Sequence, residues 1–100
     1  MFNHVSGKLL EKSPSHAVVE AAGVGYLLRV SLATFERLPS PGQDCRLLTR
    51  LLVREDSRQL VGFTDGAERE VFDALISVNG VGANLALAVL SAMRPEELAA

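Results

Sequence analysis

Residues 79–84 read Asn-Gly-Val-Gly-Ala-Asn, and the run Leu85-Ala86-Leu87-Ala88-Val89-Leu90 that follows carries no charge. Glycines spaced this closely let a backbone approach an anionic ligand, and a helix beginning just after them offers free amide donors in its first turn. Two nucleotide readings fail on spacing. A dinucleotide fingerprint needs a third glycine and a preceding strand, but Leu85 fills that position and the residues before the motif have helical periodicity. A phosphate loop of the ATPase type ends in Gly-Lys-Ser/Thr, whereas the only Gly-Lys, Gly7-Lys8, is followed by Leu9. What survives is helix, Gly-x-Gly turn, helix. Its amides and the positive end of the second helix suit one phosphate without any basic side chain. Such a site grips backbone and is indifferent to base sequence. The alternative is a plain αα-hairpin in which glycine only eases the reversal.

A second candidate is the carboxylate pair Glu55-Asp56 between two strand-like runs. Acid–base work would need a desolvated group with a raised pKa, and a turn tip is hard to desolvate. The pair therefore reads as a solvated turn, or as a negative post that repels a polyanion from one spot on a DNA-binding face. Eight of the ten basic residues are arginine, a choice that suits forked recognition of phosphate or carboxylate, or ordinary surface charge. His4, His16 and Cys45 lack the spacing of metal ligands, and no Ser or Cys comes with a recognisable base and orienting acid. Neither a metal, a cofactor nor a catalytic residue is expected.

The elements that must position these residues change character near Thr64. Before it come strand-like runs at Phe2–Lys12, His16–Ala22, Tyr26–Val30, Cys45–Arg54 and Gln59–Phe63, with Gly23-Val24-Gly25 as the turn of a hairpin. A short helix over Leu32–Leu38, capped by Ser31, interrupts them. From Cys45 to Arg54 strict alternation places Cys45, Leu47, Thr49, Leu51 and Val53 on one face and Arg46, Leu48, Arg50, Leu52 and Arg54 on the other. Five or six short strands with Gly and Pro at the turns predict a small closed barrel over residues 1–63. After Thr64 the period becomes helical. Thr64-Asp65 with Glu68 supplies a cap, and Val71, Phe72, Leu75 and Ile76 form an apolar stripe ending near a left-handed glycine cap at Val78-Asn79-Gly80. A second helix is predicted from about Gly82 to Ala92 with Leu85, Val89 and Ala92 on one face, and a third starts at Arg94-Pro95.

Twelve acidic against ten basic residues give a formal charge of -2, which excludes a protein coated in basic side chains but not a local basic face. No apolar stretch nears a membrane span, no secretion signal is visible, and one cysteine suits a reducing compartment, so a cytoplasmic protein is expected. A third helix broken off one turn in, at Ala100, reads as part of something longer.

These residues resemble the N-terminal half of the RuvA family of bacterial Holliday-junction-binding proteins. The anchors are Glu11-Lys12, Gly23-Val24-Gly25-Tyr26, Leu38-Pro39 with Gly42-Gln43, Val53-Arg54-Glu55-Asp56 with Gly62-Phe63, Glu68-Arg69, Phe72, Leu75-Ile76, Asn79-Gly80-Val81-Gly82, Leu85-Ala86-Leu87-Ala88 and Met93, in the family's order. The resemblance implies an oligonucleotide/oligosaccharide-binding (OB) barrel over 1–63, followed by a helix-hairpin-helix domain over 64–100 that is incomplete at its C-terminal end. It implies a non-catalytic DNA-binding subunit that holds four-way junctions flat for branch migration in recombination and DNA repair. Its implied partners are junction DNA, copies of itself in a tetramer or an octamer of two tetramers, a RuvB-type ATPase and a RuvC-type nuclease. Carried over residue by residue, Asn79, Gly80, Val81, Gly82, Ala83, Asn84 and Arg54 contact DNA, and Glu55 and Asp56 form an acidic pin at the crossover. The part that recruits the ATPase would lie beyond Ala100, so these 100 residues alone are not expected to retain it.

Two departures stand out. Relatives often carry Pro-Lys where this chain has Ala83-Asn84, and arginines in the first strand where it has His4 and Ser6. A lost lysine removes one phosphate-neutralising charge, which flattens the salt dependence of binding. The competing readings are a general backbone-binding or assembly module without junction preference, and a base-excision glycosylase. The last is disfavoured because only Glu96 and Glu97 follow the hairpin as acids.

Overall fold

A computed structural model describes residues 3–92. Phe2, Met93 and the helix expected from Arg94 lie outside the described residues. Five strands are present: β1 (His4–Lys12), β2 (His16–Ala21), β3 (Val24–Arg29), β4 (Asp44–Arg54) and β5 (Ser57–Phe63). They close into a barrel in the order β1-β2-β3-β5-β4, consistent with an OB fold. All neighbours are antiparallel except β3 and β5, which meet in parallel at Arg29 and Val61. Closure leaves no sheet edge of unpaired amides along most of the wall. Helix α1 (Leu32–Arg37) bridges β3 to β4, and α2 (Gly66–Ile76) and α3 (Ala83–Ala92) follow β5.

The β2–β3 reversal falls one residue earlier than the glycine pattern indicates. Ala22 and Gly23 form the two-residue turn with φ of 53° and 81°, while Val24 and Gly25 pair with Ala21 and Glu20 inside the ladder. Positive φ at both central residues gives the turn the twist of the flanking strands, and that match outweighs the penalty of placing an alanine there.

Two apolar clusters hold the molecule. Inside the barrel, Val5, Leu9, Ala17, Val19, Leu28, Val30, Leu38 and Leu47 pack together. The second cluster joins Val61 and Phe63 of β5 to Phe72 of α2 and to Ala83, Ala86, Leu87 and Leu90 of α3. Phe63 and Phe72 are fully buried with ring centroids 5.2 Å apart, each burial contributing about 1.5–3 kcal/mol. The apolar core therefore crosses the change of period at Thr64 without a break.

Strand β4 shows how this works. Leu47 and Thr49 are buried in the barrel, while Leu48 and Leu52 pack against the second cluster beneath the helices. Both faces are covered in the middle of the strand, while Arg46 and Arg54 on the arginine-bearing face stay exposed. On α3 the core side is Ala83, Ala86, Leu87 and Leu90; Leu85, expected in the stripe, is 51% exposed. An uncharged helix of this kind gives no contrast from which its buried side can be read.

Candidate nucleic-acid interface

Helix α2 is capped by Asp65, whose side chain accepts from the Glu68 amide at 2.8 Å. Glu68 does not complete a capping box. Its buried carboxylate accepts from the Ser31 hydroxyl at 3.0 Å and from the Thr34 hydroxyl. Ser31 is at the same time the N-cap of α1, its oxygen accepting from the Thr34 amide at 3.2 Å. Burial pushes the Glu68 pKa up; the Thr34 and Ser31 hydroxyls pull it down, Asp65 raises it and Arg37 lowers it. The Leu32 amide donates to the Ser91 hydroxyl at 3.0 Å, so α1 is bonded to both α2 and α3. Arg37 pairs with Asp65, and Arg50 with Asp73, linking the barrel to α2. These groups place the two-helix unit against the barrel.

The segment between α2 and α3 is a tight turn. Helix α2 ends at Ile76, with Ser77 still right-handed and its hydroxyl donating to the Ala74 carbonyl at 2.6 Å. The left-handed Gly80 belongs to the following turn, not to the helix cap as the sequence pattern indicates. The Val81 amide bonds the Val78 carbonyl at 3.1 Å, and Gly80, third of the four residues, has φ of 84°. That position requires glycine in a type II turn. Helix α3 starts directly afterwards, and Ala86 is the first residue whose amide reaches back, to the Gly82 carbonyl at 3.0 Å. The amides of Ala83, Asn84 and Leu85 precede the first intrahelical bond and form the positive end of α3. Asn79, Gly80 and Asn84 are exposed, Val81 and Gly82 are half-buried, and Ala83 is buried.

Arg54, the last residue of β4, reaches this turn from the barrel. A Cβ on Gly82 would lie 3.3 Å from the Arg54 Nη2, tighter than an ordinary contact. Gly82 does not need glycine for its φ, since only Gly23, Gly42 and Gly80 are left-handed. Its missing side chain serves the approach of the guanidinium. Arg54 makes no hydrogen bond or ion pair among the described residues and is exposed. It lines three clefts, of which two concern the start of α3. Of these two, one, of about 300 Å³, runs along residues 76–82; the other, of about 390 Å³, lies between the barrel wall at Arg29 and Gln59 and the start of α3 at Gly82–Leu85. The third, of about 430 Å³, lies along Leu51–Val53, Ile76 and Val81.

Glu55 and Asp56 are the two turn residues between β4 and β5, closed by the Arg54–Ser57 pair, and both are exposed. They thus follow directly on Arg54 in the chain. The structure brings Arg54 to the segment 79–84, while Glu55 and Asp56 line none of these clefts. His4 and His16 bond Asn3 and Ser15, Cys45 is a half-buried free thiol, and no group of three His, Cys, Asp or Glu among the described residues is arranged to hold a metal. No helix among the described residues is long and apolar enough to cross a membrane. Sequence reasoning missed Arg29 and Gln59, which lie 30 positions apart and meet only through barrel closure. It also missed Glu68 as a link to α1, because an acid in a first helical turn looks like an ordinary capping group.

Residues 1–62 match the family model described as the RuvA N terminal domain. The chain is 50% identical over 99 residues to a protein of Cupriavidus pinatubonensis, covering 99% of this chain and 51% of that one. It is 50% identical over 99 residues to a protein of Chromobacterium violaceum, covering 99% and 50%, and 47% identical over 98 residues to one of Chlorobium phaeobacteroides, covering 98% and 49%. Each of these is named Holliday junction branch migration complex subunit RuvA. The chain spans about half the length of these curated relatives. With a family model matched over more than half its length and relatives at this identity, the chain belongs to the RuvA family.

Proposed function

We propose that this chain binds four-way DNA junctions and holds them open and flat for branch migration, as the DNA-holding part of a complex in which a RuvB-type ATPase does the work and a RuvC-type nuclease cuts. The barrel of residues 1–63 and the helix-hairpin-helix unit of residues 64–100 act as one DNA-binding face. Several copies, four or two sets of four, surround the crossover in the cytoplasm. The chain itself performs no chemistry.

One observation supports this reading: the Arg54 guanidinium lies against Gly82 at the start of α3, and the acidic β4–β5 tip follows Arg54 directly in the chain. A phosphate held by the amides of Gly82, Ala83 and Asn84 meets the Arg54 guanidinium on one side. Immediately beyond it, Glu55 and Asp56 repel the same polyanion. Attraction next to repulsion suits DNA whose strands part at that point and disfavours a continuous duplex running across the tip. Contacts of this kind go to the backbone, so binding is indifferent to base sequence and falls with added salt.

Gel shifts with a four-way junction and a linear duplex of matched sequence test the proposal. The junction is expected to bind more tightly at every salt concentration. Equal affinity for the two would leave a general backbone-binding module, and no binding at micromolar protein would leave an assembly module.

A further inference from the structure

The cleft between the barrel wall and the start of α3 is lined by Arg29, Arg54, Gln59 and residues 82–85, with no carboxylate among them. In an acidic chain that absence is notable: two of the other arginines near the helices are paired with carboxylates, Arg37 with Asp65 and Arg50 with Asp73. Arg69 is held by a neutral amide, donating to the Asn3 side chain and carbonyl. Arg29 donates from Nη1 to the Gln59 Oε1 at 3.0 Å, a contact that neutralises nothing. It fixes both side chains and leaves the Gln59 amide nitrogen and the remaining guanidinium N–H groups as donors. Every side-chain polar group free to act in this cleft, except the Asn84 carbonyl oxygen, is a donor.

Arg54 and Gly82 are shared with the cleft along the glycine turn, so the two clefts adjoin at these residues. On the ladder, Gln59 stands opposite Leu52, and Arg29 opposite Val61, two residues further along the same face of β5. Arg54 is two residues beyond Leu52 on β4, again on that face. The row Arg54, Gln59, Arg29 therefore leads from the glycine turn down the barrel wall.

We infer that Arg29 and Gln59 form a second phosphate subsite, on the barrel, which takes a DNA backbone phosphate next to the one held at the glycine turn. This rests on the DNA-binding reading above and extends it from the helices to the β3–β5 wall. The ligand is a phosphodiester: the guanidinium supplies a forked pair of donors and a full charge, and Gln59 a third donor. The exposed Leu85 on the opposite side of the cleft offers an apolar contact to the sugar between the two phosphates.

The test compares the parent protein with Arg29→Ala and Gln59→Glu by junction binding across a salt series, with thermal melts alongside. Arg29→Ala is expected to weaken junction binding roughly tenfold and to reduce the salt slope by about one phosphate equivalent. Gln59→Glu separates binding from folding. A carboxylate facing Arg29 makes an ion pair that keeps or raises the melting temperature, yet it repels a phosphate and lowers affinity. Parent-like salt slopes in Arg29→Ala, with the parent itself binding junctions, would overturn the subsite and leave the DNA-binding reading intact. Parent-like affinity in Gln59→Glu would do the same. Failure of the parent to bind junction DNA at all would overturn both.

Discussion

The guanidinium of Arg50 on β4 grips the carboxylate of Asp73 on α2 with two hydrogen bonds, Nε to Oδ1 at 2.8 Å and Nη2 to Oδ2 at 2.5 Å. Between the apolar neighbours Leu48 and Leu52, this pair fixes the rotation of α2 on the barrel. Both side chains are about a third exposed, 33% and 38%, so solvent screens much of the attraction. Asp73→Asn is expected to cost about 1 kcal/mol, read as a fall of about 4–8 °C in melting temperature. Junction affinity should fall with it, because a loosened α2 no longer holds the glycine turn against Arg54.

Glu68 makes stability depend on pH in a direction opposite to that of a salt-bridged carboxylate. Its folded pKa is raised by burial above the ordinary glutamate value of about 4.3, so the folded state binds the proton more tightly. The stability linked to that proton is fully present below the unfolded pKa and is lost as pH rises to and through the folded one. Glu68→Gln removes this dependence. Urea melts should show the variant gaining on the parent as pH rises through that window, by no more than about 1.4 kcal/mol per pH unit, and then holding constant. A constant difference from pH 4 to 8 would contradict the assignment.

The two glycines of the turn should answer alanine substitution differently. Gly80→Ala puts a side chain at φ of 84° and is expected to destabilise the fold by about 1–2 kcal/mol. Gly82→Ala meets no backbone penalty; its Cβ pushes the Arg54 guanidinium aside by a few tenths of an ångström. Its melting temperature should stay near that of the parent while junction affinity drops. In an Arg54→Ala background the same change should have little further effect, a coupling that a double-mutant cycle measures.

Neutralising the tip with Glu55→Gln and Asp56→Asn together removes two exposed negative charges from beside Arg54. Affinity for linear duplex should rise several-fold at low salt and the advantage should shrink as salt is added, since the repulsion acts through solvent. Junction affinity should change less. Unchanged duplex binding would remove the tip from the discrimination mechanism.

The sequence by itself determined the kinds of element and their order. Alternation in β4 and the caps Ser31 and Asp65 are local signals, set by side-chain geometry within one turn or strand, and they survive folding unchanged. The candidate residues around the glycine turn and the acidic tip were legible for the same reason, since each lies in one short stretch. Tertiary structure decided what each face meets. It covered the middle of the arginine side of β4 with helices, turned α3 so that Leu85 is exposed, and drew Glu68 inward to the cap of another helix. It also brought Arg29 to Gln59 and Arg54 to Gly82. Such pairings depend on barrel closure and on which apolar surfaces fit together, and these join residues far apart in the chain. No local pattern of side chains encodes them.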